Sequence, residues 1–190
     1  MTASREERVK KADRADCNDS ELTTYEHHLG FKLSDLKGKK VLDIGGTMGG
    51  NLYYEAKAEE VDIVILSASN VYGSCAGPNV LGLAQELPFL DNSFDIELSL
   101  GVLPFLPEST EEYEVTFLES IRTCRVGGRT MFFPVLPRMN QSAEFKRAIQ
   151  NVSDHAGVIL EVVDFSDWSF QPEDEEGNPE ILHRLILVKK

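Results

Sequence analysis

Residues 41–50 read VLDIGGTMGG, a short apolar run followed by a segment made mostly of glycine. The run is typical of a strand buried in a parallel sheet, and glycine lets the backbone turn sharply and approach a ligand closely. A turn of this kind at the start of a helix is a common cofactor-binding element. By itself it is weak evidence, because any strand-to-helix reversal favours glycine.

Further short apolar runs follow along the chain, and each has the length of a buried strand. They are VDIVIL (61–66), NVLGLA (79–84), FDIELSL (94–100) and RTMFFPVL (129–136). A helix is predicted over EEYEVTFLESIRTCR (111–125), with Gly127 and Gly128 as its C-terminal stop. A strand, a helix and a strand in this order predict an α/β fold with a single doubly wound, mostly parallel sheet.

The C-terminal part predicts one helix and two closing strands. SAEFKRAIQNVSDHAG (142–157) opens on Ser142, a favourable N-cap, and carries apolar residues on one face. VILEVVDFSDW (158–168) and ILHRLILVKK (181–190) are predicted strands joined by an acidic turn. A pair joined in this way is a hairpin, so the last strand is predicted to run antiparallel in the sheet.

The first twenty residues are charged and nearly devoid of large apolar side chains. This composition predicts a flexible segment over residues 1–20, followed by one folded domain over residues 21–190. From Leu22 to Leu36 apolar residues recur three to four apart, which predicts an amphipathic helical segment interrupted near Gly30. His27 and His28 are neighbours on this segment and are both expected at the surface.

The chain has 19 Lys and Arg against 32 Asp and Glu, a net charge of −13. Nucleic-acid binding depends on basic side chains, so we expect a small-molecule or protein partner and no nucleic acid. The cysteines Cys17, Cys75 and Cys124 are widely separated, which predicts neither a disulfide framework nor a metal site. Because no apolar run is long enough for a membrane helix or a signal peptide, we expect a cytoplasmic protein with no membrane partner.

A second stretch is more specific than the glycine turn. LAQELPFLDNSFDIELSLGVLPFL (83–106), followed by IRTCRVGGRTMFF (121–133), resembles the class I S-adenosylmethionine-dependent methyltransferases of the small-molecule type. The matching pattern is LPF-x-D-x-SFD before the fourth strand and Gly-Gly before the fifth, and the similarity runs from about Val41 to Lys190. It implies the Rossmann-like fold of that family. Independently of any cofactor, Ser93-Phe94-Asp95 predicts a folding role, with Phe94 as an aromatic plug at the entry to a buried strand and Asp95 as a cap for neighbouring backbone N–H groups.

The resemblance implies which residues would contact S-adenosylmethionine. They are Asp43 in the first strand, Gly45, Gly46, Thr47 and Gly49 in the turn, Ile65 at the ribose position, Leu83 and Ala84 at the adenine position, and Leu100 at the mouth. Ile65 and Leu83 stand where family members carry carboxylates, and Ser67 and Gln85 are the nearest polar substitutes. The missing hydrogen bonds predict cofactor binding weakened by up to about 3–6 kcal/mol.

Two functions are compatible with this sequence. The first is methyl transfer from S-adenosylmethionine to a small or peptidic acceptor, which needs few catalytic side chains because it depends mainly on positioning. The second is a non-catalytic binding or regulatory protein that keeps the methyltransferase fold without the cofactor. An apolar rim at the mouth, formed by Leu100, Val102, Leu103, Pro104 and Phe105, is expected to be either core packing or a surface for a substrate or partner.

Overall fold

The computed structural model describes residues 21–46, 50–68, 79–154, 157–165 and 181–190. Its helices are α1 (Glu21–Leu29), α2 (Gly50–Ala58), α3 (Thr110–Thr123), α4 (Pro137–Gln141) and α5 (Ala143–Ser153). Its strands are β1 (Lys40–Ile44), β2 (Asp62–Ser67), β3 (Asn79–Leu81), β4 (Phe94–Leu100), β5 (Cys124–Val135), β6 (Val158–Phe165) and β7 (Leu182–Lys189). Short 3₁₀ helices cover Leu33–Leu36 and Leu103–Phe105.

The strands form one sheet in the order β3-β2-β1-β4-β5-β7-β6. The pairs from β3 to β5 are parallel, whereas β7 runs antiparallel to both β5 and β6. The predicted doubly wound sheet with an antiparallel last strand is therefore confirmed. The chain order reverses between β1 and β4, and such a reversal opens a crevice at the C-terminal ends of the strands.

Both faces of the sheet are covered, which is why its strands read as continuous apolar runs. On the first face, Leu29 of α1 and Leu52 of α2 belong to a buried cluster with Val41. On the second face, Phe117 of α3 packs edge-on against Phe132 of β5, with ring centroids 5.4 Å apart. The site described below lies at the C-terminal edge of this packed core.

The LPF-x-D stretch before β4 is held on α3 by one arginine. Arg122 donates hydrogen bonds to the carbonyl oxygens of Leu87 at 2.9 Å and Phe89 at 2.8 Å, and to the Asp91 carboxylate at 2.8 Å. Glu119 forms an ion pair with Arg122 at 2.7 Å and accepts a hydrogen bond from the Leu87 amide at 2.9 Å. The motif thus binds the segment before β4 to α3, the helix that follows β4 in the chain.

The Ser-Phe-Asp triplet has the folding role predicted for it. Asp95 Oδ2 accepts a hydrogen bond from the Lys40 amide at 2.7 Å, and Oδ1 accepts one from Arg125 at 2.9 Å. Phe94 is buried and packs edge-on against Phe89, with centroids 4.9 Å apart. Asp95 therefore fixes the start of β1, and Phe94 fills the core at the start of β4.

One predicted helix boundary is wrong. α3 ends at Thr123 and β5 begins at Cys124, so Gly127 and Gly128 do not stop the helix. They lie within β5, where the pairing with β4 shifts register. A Cβ on Gly128 would lie 2.7 Å from the Asp95 carbonyl oxygen, so this glycine lets β5 pass close to the β4 backbone.

α1 ends as the sequence predicts, because Gly30 follows it with φ of +71°. The expectation that both histidines lie at the surface is wrong for His28, whereas His27 is exposed. His28 is buried and its ring stacks on Phe133 at a centroid distance of 4.7 Å. Arg184 of β7 donates to the His28 carbonyl oxygen at 2.6 Å and so binds the C-terminal end of α1 to the sheet.

The flexible segment predicted over residues 1–20 and the acidic turn predicted between the closing strands fall outside the described ranges. Within the ranges given above, the helices are too short or too polar to cross a membrane.

Candidate functional site

The candidate site lies above the C-terminal ends of β1 and β4, where the strand order reverses. β1 ends at Ile44, and Gly45 follows with φ of +81°, a left-handed conformation that glycine adopts without strain. The Gly45 amide donates a hydrogen bond to the Leu66 carbonyl oxygen of β2 at 2.8 Å. A Cβ on Gly45 would overlap Val102 Cγ2, so the chain leaving β4 packs directly against this turn.

Asp43 is fully buried beneath the turn. The Tyr25 hydroxyl of α1 donates to its carboxylate, at 3.0 Å from Oδ2 and 3.2 Å from Oδ1. A Cβ on Gly46 would overlap Asp43 Oδ2, so the carboxylate lies directly under the backbone of the turn. Asp43 therefore supports the turn from below and connects it to α1.

The ribose position has an apolar floor. Ile65 of β2 pairs in register with Asp43 and is fully buried. Its Cγ2 atom lies 2.8 Å from the position that a Cβ on Gly46 would take. Ser67, which ends β2 two residues later, is also buried.

The adenine position falls in the segment after β3. Leu83 is 55% exposed and forms an antiparallel bridge with Glu86. Ala84 is buried in the core of the second face. The Gln85 side-chain amide donates to Glu112 of α3 at 2.9 Å, so this polar substitute holds the segment on α3.

The apolar rim divides into buried and exposed parts. Leu100 packs on the core of the first face, and Leu103 is fully buried in the second. Phe105 is 88% exposed at the end of the 3₁₀ helix. Gly101, between them, has φ of +86°, and no described atom lies within 4 Å of the point that its Cβ would occupy. The sequence left core packing and surface as alternatives for this rim. In the structure Leu100 and Leu103 belong to the core, and Phe105 lies at the surface.

The structure thus brings four of the predicted residues together under and in the turn: Asp43, Gly45, Gly46 and Ile65. Thr47 and Gly49 lie outside the described residues. Tyr25 is a residue that sequence reasoning missed, since its spacing identified it only as an apolar member of an amphipathic helix. Its contact with Asp43 spans 18 positions, and no local pattern indicates it.

A neutral histidine lies on the α1 side of the site. Burial, with smaller repulsion from His27 and Arg184, lowers the pKa of His28 to about 4. At neutral pH the ring is therefore uncharged where it stacks on Phe133. This agrees with its burial, since a charged imidazolium would lose its hydration there.

Comparison with known proteins gives one curated relative. A fatty-acid O-methyltransferase from Mycolicibacterium smegmatis is 27% identical over 132 residues, which cover 65% of this chain and 46% of that protein. The chain therefore spans about half the length of the curated relative that it matches. No protein-family model matches the chain.

Solved structures resemble the whole arrangement of strands and helices. A TehB-like S-adenosylmethionine-dependent methyltransferase from Corynebacterium glutamicum superposes with a TM-score of 0.57, at 23% identity, over 83% of this chain and 87% of that one. The chain has the class I methyltransferase fold. A geranyl diphosphate C-methyltransferase from Streptomyces coelicolor, in complex with geranyl diphosphate and S-adenosylhomocysteine, gives a TM-score of 0.58 at 13% identity, over 90% and 78% of the two chains. The resemblance predicted from the LPF-x-D-x-SFD stretch is confirmed at the level of this methyltransferase fold.

Proposed function

We propose that this protein transfers a methyl group from S-adenosylmethionine to a small acceptor. The observation that carries the proposal is the left-handed turn at Gly45, which lies at the strand-order reversal and in contact with Val102 after β4. In open α/β sheets, ligands bind in the crevice at this point. The curated methyltransferase relative and the methyltransferase fold support the same reaction class.

The residues fit the cofactor better at one end than at the other. At the methionine end, Gly45 and Gly46 carry no side chains of their own, and the turn that they form packs against Val102 and is supported by Asp43. At the adenosine end, Ile65 and Leu83 offer no carboxylate to the ribose or the adenine. We therefore propose weak binding, with the turn as the main contact.

Bound S-adenosylmethionine would supply an electrophilic methyl group, and the protein would hold the acceptor in line with it. Beyond Gly101 the described atoms leave space at the end of β4, and Phe105, four residues later in the chain, is exposed. An exposed aromatic ring suits an acceptor with an apolar portion. The names of the Mycolicibacterium relative and of the Streptomyces structure also refer to acceptors with apolar chains. We favour such a small molecule over a peptide.

A second candidate function is a non-catalytic protein of the same fold. It is favoured by Ile65, which is fully buried beneath the turn rather than presented to a ligand. In that case the exposed Leu83 and Phe105 would contact a protein partner instead of a substrate.

Calorimetry with S-adenosylmethionine and S-adenosylhomocysteine separates the two functions. The key variant is Gly45→Ala, which would strain a left-handed residue and overlap Val102. Gly38→Ala is the matched control, because Gly38 has φ of +73° with no described atom near its Cβ position. Saturable one-to-one binding that Gly45→Ala loses and Gly38→Ala keeps would support the enzyme. Absence of binding at about 1 mM of either compound would support the non-catalytic protein.

The partner class is a separate proposal, based on the net charge of −13. We expect no appreciable affinity for duplex DNA or tRNA, because few basic side chains are available to neutralise phosphates. Saturation in the low micromolar range at physiological salt would contradict this proposal.

A further inference from the structure

Glu97 lies in the middle of β4, on the face covered by α3, and its exposed fraction is 0%. Its hydrogen-bond partners among the described residues are both hydroxyl groups. Thr123 Oγ1, at the last residue of α3, lies 2.6 Å from Oε1, and Thr130 Oγ1 of β5 lies 3.0 Å from Oε2. The carboxyl group thus joins three elements, β4, α3 and β5, at one buried point.

The hydroxyl protons show which form of the carboxyl group fits. Thr123 Oγ1 also lies 3.0 Å from the Glu119 carbonyl oxygen, but a hydroxyl can donate only one hydrogen bond. If Glu97 carries a proton, it donates to Thr123 Oγ1, and Thr123 donates in turn to Glu119. Thr130 then donates to the other oxygen of Glu97. With the protonated acid, Thr123 keeps its hydrogen bond to the Glu119 carbonyl oxygen and both oxygens of Glu97 are bonded, whereas the carboxylate must take the Thr123 proton away from the helix.

We propose that Glu97 is a proton-linked contact between elements. As a neutral acid it holds the end of α3 and the start of β5 against β4, and these contacts weaken when its proton is released to solvent. No cofactor is needed for this behaviour. It therefore goes beyond the proposed function and can be tested independently of it.

Among the described residues, the charged groups near Glu97 bond to other partners. Arg122 of α3 bonds to Glu119, Asp91 and the carbonyl oxygens of the LPF-x-D stretch. Lys189 of β7 donates to Asn92 and to the Cys124 carbonyl oxygen. From β1, the residue paired with Glu97 is the apolar Leu42.

Burial raises the pKa of Glu97 to about 8, even though the hydrogen bonds from the two threonines and the charges of Lys189 and Arg122 lower it. Burial, with a contribution from the Glu97 charge, also raises the pKa of the Cys124 thiol to about 12. The thiol of β5 is therefore neutral under the conditions in which Glu97 ionises.

Loosening at Glu97 would reach the border of the candidate site through α3. Glu112 holds Gln85, and Glu119 and Arg122 hold residues 87–91, so this one helix positions the whole segment that follows the adenine position. A single buried proton would thereby influence the segment from Gln85 to Asp91.

The test compares urea unfolding of the wild-type protein and Glu97→Gln between about pH 5 and 9. Glutamine keeps the shape and cannot ionise. Because the folded pKa exceeds the unfolded value of 4.5, the folded state holds more protons between them, and stability falls as the pH rises through this window. We expect the unfolding constant of the wild type, relative to Glu97→Gln, to rise by up to about tenfold per pH unit and to level off above about pH 8. Glu111→Gln, an exposed change on the same helix, should keep the wild-type profile.

Parallel pH profiles for wild type and Glu97→Gln would overturn the proposal. A carbon-13 NMR titration of glutamate carboxyl groups in the wild-type protein gives the answer if Glu97→Gln does not fold. We expect one carboxyl group to titrate at a pH well above the others, and titration of all glutamates in the ordinary pH range would contradict the proposal. Protection from hydrogen exchange, taken relative to the intrinsic exchange rate at each pH, should fall in the last turn of α3 and the first residues of β5 as that carboxyl group ionises, and unchanged protection would equally count against the proposal.

Discussion

The hydroxyl of Tyr25 donates a hydrogen bond to the buried carboxylate of Asp43, 3.0 Å away. Asp43 in turn lies beneath Gly46, so the helix α1 and the turn after β1 meet through one side-chain pair. A buried carboxylate that loses a donor keeps the cost of its desolvation. The stability of the turn should therefore depend on a residue far from it in sequence.

Tyr25→Phe should lower the free energy of unfolding by about 1.5–3 kcal/mol, the usual contribution of a hydrogen bond to a charged group. Urea unfolding at neutral pH measures this change. Tyr113→Phe is the control, because Tyr113 is as deeply buried but forms no side-chain hydrogen bond with the described residues. Equal losses in the two variants would contradict a specific role for the Tyr25 hydroxyl.

Ile65→Asp would restore the carboxylate of the ribose position but should destabilise the protein. The new carboxylate would be buried in register with Asp43, so the variant must hold two like charges close together or take up a proton. We expect a loss of about 3–5 kcal/mol, compared with about 0.5–1.5 kcal/mol for Ile65→Val. Leu83→Asp, at an exposed position, should change stability by no more than about 0.5 kcal/mol. Thermal melts of the three variants test this order of stability losses. An Ile65→Asp protein as stable as Ile65→Val would show that the side chain at position 65 reaches solvent.

Arg122→Lys should weaken the attachment of the LPF-x-D stretch to α3. A lysine ammonium cannot replace the planar guanidinium group, which bonds to Leu87, Phe89 and Glu119 together. We expect a loss of about 1–3 kcal/mol, which lowers the melting temperature by roughly 2–4 °C per kcal/mol for a chain of this size. Arg147→Lys, on the exposed side of α5, should leave the melting temperature unchanged. A similar shift of the melting temperature in both variants would argue against a specific role of Arg122 in holding this stretch on α3.

His28 should give the protein a pH dependence opposite in sign to that of Glu97. Its folded pKa of about 4 lies below the usual histidine pKa of 6.5, so the unfolded state binds more protons between these values. Stability is then fully present above about pH 6.5 and is lost as the pH falls toward about 4, by up to about 1.4 kcal/mol per pH unit. Acid unfolding of wild type and His28→Phe should diverge only below that upper limit. Curves that stay parallel down to about pH 4 would show that the imidazole ring does not titrate in this way.

Much of the fold could be predicted from local patterns. The buried runs from Val41 to Leu136 gave the parallel strands because a strand covered on both faces is apolar throughout. Ser142 was recognisable as a cap, and its side chain does accept a hydrogen bond from the Phe145 amide. Where a local pattern allowed two structures, as at Gly127 and Gly128, the prediction was wrong: the pair was assigned to a helix stop and proved to be a close approach between strands.

The site was less predictable because its contacts join distant parts of the chain. Local patterns were enough to predict the succession of strands along the chain, the glycine turn after β1 and the lack of carboxylates at Ile65 and Leu83. The contact of Tyr25 with Asp43 and the burial of Glu97 among hydroxyl groups follow from the three-dimensional packing and not from any local pattern. The physical reason is that residue spacing records which face of an element is apolar, whereas the charge state of a buried group depends on the neighbours that other elements bring to it.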